Sequence, residues 1–292
     1  MSIINKTIAL LLTCIGITGI SHADTPQLSQ IWQLEGFKNP ESVIYDKANN
    51  RLLVSNVDGG AMDKDGSGSI SIVSLDGKIT NADWVTGLNA PKGLAISNNK
   101  LYVADIDTLI EIDLTSAAIT NQFTVSDAKF LNDVTVDDKG NVYVSDMMLN
   151  RIHRLHNDKF EIWLEGEILE NPNGLHFEED DIMLGSWGKM TDGFATEVPG
   201  HLKRISLKDK EISSVGDGSP LGNLDGVEGT EDTGFYVTDW FNGKLFHISR
   251  KGEVTLLLEL NQGSADHEYI IEQDLILIPM MKDNLLNAYK LN

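Results

Sequence analysis

The chain has 292 residues, with 44 acidic against 23 basic side chains, a net charge of −21 and one cysteine, Cys14. Such a surface repels phosphate backbones and anionic headgroups, so a nucleic-acid or membrane-surface partner is not expected and a small molecule is. One cysteine allows no internal disulfide, and this one sits in a segment expected to be removed, which excludes thiol catalysis in the mature chain.

Residues 1–23 carry Lys6, an apolar stretch from Ile8 to Ile20 and the small-residue ending Ser21-His22-Ala23. That is the layout of a cleaved secretory signal, with cleavage expected after Ala23 and a periplasmic or secreted product. The remainder, 24–292, is expected to fold as one domain.

After a strand-like segment, Gln30–Leu34, the chain repeats itself. Six short runs share one shape: Pro40-Glu41-Ser42-Val43, Pro91-Lys92-Gly93-Leu94, Leu131-Asn132-Asp133-Val134, Pro172-Asn173-Gly174-Leu175, Leu224-Asp225-Gly226-Val227 and Asp266-His267-Glu268-Tyr269. Their second residues are spaced 51, 40, 41, 52 and 42 apart, the period of a repeat architecture. Each run starts an apolar strand, and a second follows after a turn, as in Arg51–Asn56, Lys100–Asp105, Asn141–Asp146 and Gly234–Asp239. A third comes next in each unit, for example Ser69–Leu75 and Lys244–Ser249. These segments are short, rich in Val, Ile, Tyr and Leu, and bounded by Asn, Asp and Gly, which reads as antiparallel strands. The expected fold is all-β: a six-bladed propeller with four-stranded blades, its ring closed by the N-terminal strand.

In a propeller, equivalent positions on the inner strands meet around the central channel. The second residues of the runs, Glu41, Lys92, Asn132, Asn173, Asp225 and His267, are therefore expected to form a ring. Two carboxylates with two amide oxygens suit a hard divalent cation, Ca²⁺ first and Mg²⁺ or Mn²⁺ next, while the lack of sulfur disfavours zinc. Taken singly, each Asn, Asp or Glu also fits a turn preference; four at one repeat phase do not. Lys92 is expected to pair with Glu41 or Asp225, and His267 to act as a base. His176 is a weaker candidate, and His153, His156, His201 and His247 read as surface or strand-face residues.

Two units are longer, with insertions at 57–68 and 187–200 on the side of the ring. They bring Met62, Trp187, Met190 and Phe194 as candidate pocket or lid residues. The first also contains Asp63-Lys64-Asp65-Gly66-Ser67-Gly68, the opening of an EF-hand loop, but Ser74 stands where its bidentate Glu belongs.

Over residues 36–292 the pattern resembles the SMP-30/gluconolactonase/LRE-like family of six-bladed propellers, with paraoxonases and diisopropylfluorophosphatase as more distant relatives. The resemblance rests on Asn39-Pro-Glu-Ser-Val43, Leu131-Asn-Asp133, Pro172-Asn-Gly174 and Leu224-Asp-Gly226. It implies Glu41, Asn173 and Asp225 as direct ligands of a catalytic cation, Asn132 as ligand or substrate contact, and a channel histidine at His267. Lys92 departs from the family pattern. The expected activity is metal-dependent hydrolysis of a lactone or related ester, with Asp225 or His267 activating water. The alternatives are a noncatalytic NHL-like binding propeller and a metal-free propeller resembling strictosidine synthase.

Overall fold

The computed structural model describes residues 27–125, 127–230 and 232–292; the expected leader lies outside them. The strands form six four-stranded antiparallel sheets. Five use consecutive strands. The sixth joins Glu268–Ile270, Leu275–Met280 and Leu285–Leu291 to the N-terminal strand Leu28–Glu35, as the unassigned segment around Gln30 led us to expect. Leu28 pairs with Leu291 and Glu35 with Leu285. Trp32 then donates its indole N–H to the Leu75 carbonyl of the first blade at 3.1 Å, so the closing strand holds both sides of the seam.

The apolar core is divided into wedges between blades. Side chains alternate along a strand, so neighbours in sequence are sent to opposite faces of a blade. Leu52 and Val54 pack against Leu277 and Leu286 of the last blade, whereas Leu53, between them, packs against Leu101 and Val103 of the second. Ile182 and Leu184 likewise face the third blade, and Met183 the fifth. With both faces covered, these middle strands read as continuous apolar runs rather than as an alternation.

The inner strands are Pro40–Asp46, Pro91–Ser97, Leu131–Val136, Pro172–Glu178, Leu224–Gly229 and Glu268–Ile270. In the first five the pairing register slips between the first and fourth residues of the repeated run, the mark of a β-bulge. A bulge adds an unpaired residue and re-aims its side chain. Here it frees the amide of the third residue, which finds a hydroxyl on the adjacent strand: Ser42 N–H donates to Ser55 Oγ, Asp133 N–H to Ser145 Oγ and Gly226 N–H to Thr238 Oγ1, at 2.8–2.9 Å. The Asp that ends the second strand fixes the loop leading into the bulge. Asp105 accepts the Asn89 and Ala90 amides, and Asp146 those of Lys129 and Phe130.

The sixth blade corrects one expectation. Pro40 pairs with Asn56, the last residue of its second strand, and in the sixth blade it is Ser264 that bridges Met280, the last residue of Leu275–Met280. Ser264 is thus the counterpart of Pro40 and Ala265 that of Glu41, while Asp266 lies level with Ser42, bridging it in parallel. His267 falls two residues beyond the ring position.

A chain lacking residues 27–35 should lose roughly 10 °C or more in melting temperature, because the last blade then exposes a bare edge and its wedge against the first blade opens. Differential scanning calorimetry checks this, and an unchanged midpoint would refute the closure.

Candidate functional site

The bulges aim Glu41, Lys92, Asn132, Asn173 and Asp225 at one place. All five are buried, and together they line a cavity of about 290 Å³ at one mouth of the channel. Asn132 donates its side-chain N–H to Asn173 Oδ1, and Asn173 in turn donates to Asp225 Oδ1 at 3.1 Å and to the Leu224 carbonyl at 3.0 Å. Glu41 Oε2 and Asn132 Oδ1 are buried with no hydrogen-bond partner. Buried polar oxygens left in this state are uncommon and point to an absent partner.

Burial, then the carboxylates of Asp225 and Asp266, push Glu41 well above the usual carboxylate range, with Lys92 pulling the other way. Asp225 is raised for the same first reason, then by Asp266, against the Asn173 hydrogen bond. A donor set of two such carboxylates and two amides fits a hard divalent cation, which would supply the positive charge the site lacks. Among the described residues no cluster of three or more His, Cys, Asp or Glu side chains that could hold a metal ion is present; the ring combines two carboxylates with two amides.

Lys92 does not form the expected ion pair. Its ammonium donates to the Ala90 carbonyl at 2.8 Å and lies 4.7 Å from the centre of the Phe130 ring. Burial draws it down to about 8, with Glu41 and then Asp105 opposing. The same Asp105 that holds the Ala90 amide therefore also places the carbonyl that captures Lys92.

Of the lid candidates, Trp187 and Phe194 line the cavity, joined by Ala61 from the first insertion. Met62 instead points outward, 47% exposed, and Met190 packs against the aromatic cluster without lining the cavity. The partial EF-hand is a local turn: Asp65 accepts the Ser67 amide and hydroxyl, and Asp63 accepts the Gly60 amide. Sequence reasoning missed Phe130, Met147, Trp240 and Met281, which complete the wall. Three of these occupy one repeat position, directly after the second strand, as Trp187 does; the same phase argument that found the ring would have found them.

A second cavity, about 570 Å³, opens at the other mouth of the channel and is lined by Asp133, His176, Glu228, Asp266, His267 and Glu268 among others. This is where His267 lies, 1% exposed and with neither ring nitrogen hydrogen-bonded, and burial lowers it to about 4. Burial raises Asp266 to about 7, against the hydrogen bond from Ser42. Glu268 is partly open to the cavity mouth, yet desolvation and then Glu228 take it to about 8. His176 resists its own burial and is held above its usual value by Glu228, 3.4 Å away. His153, read with the others as a surface or strand-face residue, lies on the strand Arg151–His156 and is fully buried, 3.6 Å from Asp146.

The family model described as the SMP-30/gluconolactonase/LRE-like region matches residues 39–262. The chain belongs to this family. Comparison with curated proteins gave no match. Among solved structures, this SMP-30/gluconolactonase-like propeller is similar to a gluconolactonase of Xanthomonas campestris, with 12% identity, a TM-score of 0.66 and coverage of 91% of this chain and 90% of that one. A streptogramin B lyase gives 12% identity, a TM-score of 0.64 and coverage of 91% and 98%. A luciferin-regenerating enzyme gives 14%, 0.63, and 92% and 95%. At these identities the likeness is one of fold.

The packing of this family member around its ring leaves no room beside Asn173. A Cβ on Gly174 would sit 1.7 Å from the Asp225 carbonyl oxygen, which is backbone and cannot step aside. Gly174→Ala should therefore cost about 3 kcal/mol or more, read by urea unfolding.

The second mouth sets a pH dependence. Asp266 and Glu268 titrate higher in the fold than unfolded, so they favour the fold fully at low pH and this contribution is lost as pH rises through about 7 and about 8. His267 acts in the opposite sense, costing stability only as pH falls from 6.5 toward about 4. Above pH 6.5 His176, held above its usual value, acts in the same sense as the carboxylates, and Lys92, drawn down to about 8, opposes them only above that value. The melting temperature should fall between about pH 6.5 and 8.5 in buffer free of divalent cations, and Glu268→Gln should flatten that slope; a rising profile in the wild type would contradict the assignment.

Proposed function

We propose that this protein is a divalent-cation-dependent hydrolase of lactones or related esters, working after export from the cytoplasm. The observation that carries the reading is the ring floor, where Glu41, Asn132, Asn173 and Asp225 converge and two buried oxygens lack partners. Membership of the SMP-30/gluconolactonase/LRE-like family and the shared fold of a gluconolactonase support it.

Glu41 Oε2 and Asn132 Oδ1, together with Asn173 and Asp225, would hold the cation, with Ca²⁺ favoured by the all-oxygen set. When bound, it supplies Lewis acidity toward a carbonyl oxygen. The chain's own residues do the rest. Asn173 donates to Asp225 Oδ1 and so fixes which carboxylate oxygen is left for proton transfer. The water oxygen bonds to the acyl carbon while its proton passes to the Asp225 oxygen that Asn173 does not occupy. That proton goes on to the alkoxide as the acyl–oxygen bond breaks, leaving a hydroxy acid. Lys92 keeps a positive charge on the same cavity wall, where the product carboxylate forms. Trp187 and Phe194 keep bulk water from the floor. His267, on the second cavity, has no part in this scheme.

In chelator-treated protein, Ca²⁺ should raise the melting temperature of the wild type but not of Glu41→Gln, by the usual linkage of binding to stability. Asp225→Ala should lower kcat/KM for a simple lactone by more than the roughly 10–100-fold that loss of an outer-sphere partner costs. Full activity in Asp225→Ala, or in metal-free protein, would overturn the proposal.

A further inference from the structure

We infer that the ring cavity selects an apolar substrate, a lactone or ester bearing an alkyl or aryl group, and discriminates against a polyhydroxylated sugar lactone. This rests on the reading of the cavity as a hydrolytic site and adds the class of molecule it takes.

The cavity has one polar end. Above the floor its wall is made by Phe130, Met147, Trp187, Phe194, Trp240 and Met281. The rings form a connected chain, Phe130 to Phe194 at 5.4 Å, Phe194 to Trp187 at 6.3 Å and Trp187 to Trp240 at 5.9 Å between centroids. Several of the polar groups that reach the wall are engaged within the protein. The Trp187 indole N–H donates to the Phe194 carbonyl at 2.8 Å, the Asn39 amide to the Met281 carbonyl at 3.3 Å, and the Lys282 ammonium to Gln262 at 2.7 Å while lying 5.1 Å from the Trp240 ring centre. Lys92 is held by the Ala90 carbonyl. The unsatisfied oxygens, Glu41 Oε2 and Asn132 Oδ1, are both on the floor.

A sugar lactone needs a partner for each ring hydroxyl it buries, and this largely aromatic wall offers few. An alkyl or aryl lactone needs only its ester group met, at the floor, and loses water from the rest. The cavity of about 290 Å³ is at the small end for ligand sites, suited to a single ring with a short substituent. An apolar site rejects an added hydroxyl by about 100-fold, so several hydroxyls should be excluded more strongly than that.

The test compares kcat/KM, with Ca²⁺ present and spontaneous hydrolysis subtracted, for an alkyl-substituted δ-lactone, dihydrocoumarin and glucono-1,5-lactone. The alkyl and aryl substrates should exceed the sugar lactone by at least about 100-fold. Phe194→Ala, which retains the carbonyl that accepts the Trp187 N–H, should lower that ratio about tenfold, with folding checked by its melting temperature. Equal or preferred turnover of glucono-1,5-lactone overturns the inference and leaves the hydrolase reading standing. If none of the three is hydrolysed, the hydrolase reading fails instead, and binding decides the inference. Quenching of Trp187 and Trp240 fluorescence should then report at least about 100-fold tighter binding of an alkyl δ-lactam than of its polyhydroxylated counterpart, and the reverse order overturns it.

Discussion

The bulge at the start of the inner strands is the constraint from which the cavity follows. Without the extra residue, the second and third positions of each run would alternate across the blade and the ring side chains would be drawn into the wedges between blades. With it, Glu41, Lys92, Asn132, Asn173 and Asp225 reach the channel while Val43, Leu94, Val134, Leu175 and Val227 still seal the core. The amides released by this arrangement would be costly if unmet, and Ser55, Ser145 and Thr238 meet them. The recurring Val-Ser-Asp and Val-Thr-Asp strings are thus more than strand formers: their hydroxyl completes the bulge, and their carboxylate sets the loop before it.

The channel concentrates negative charge along its length. Glu41 and Asp225 stand at one mouth, Asp133 and Asp266 lie deeper, and Glu228 and Glu268 line the other mouth. Burial and mutual repulsion hold several of these as acids beyond their usual range, Asp133 among them. Lys92 is the buried cation of the first mouth, but its partners are a carbonyl and an aromatic face, so it tempers the field without neutralising any one carboxylate. The glycines at the third position let successive blades approach closely enough to stack these layers: a Cβ on Gly226 would lie 2.6 Å from His267 Nδ1.

The fold, its closure and five members of the ring were legible in the sequence because a propeller repeats its geometry wherever it repeats its phase. His267 was misplaced because the sixth run is imperfect: Ser264-Ala265-Asp266 carries the phase but has neither Pro nor Gly to show it, and the next three residues imitate the motif. Lys92 was misread because charge invites pairing on paper, whereas its reach is decided by the Ala90 carbonyl two residues back. The lid was half legible. Trp187 and Phe194 could be placed by loop length, but whether Met62 and Met190 turn inward depends on loop conformation that no periodicity encodes.

The seam of the ring has a kinetic meaning. One blade takes its outer strand from residues 28–35 and its other three from residues 268–291, so it cannot exist until both ends of the chain are available to it. Five blades can form in order from neighbouring segments, but the sixth must close a loop of nearly the whole chain, a contact that is slow to find. Once made, it changes how the molecule comes apart: every wedge is flanked by two others, and no blade is terminal. Opening then has to begin at the seam or break two wedges at once, and the cavity, which draws residues from all around the ring, is kept intact by the meeting of the two chain ends.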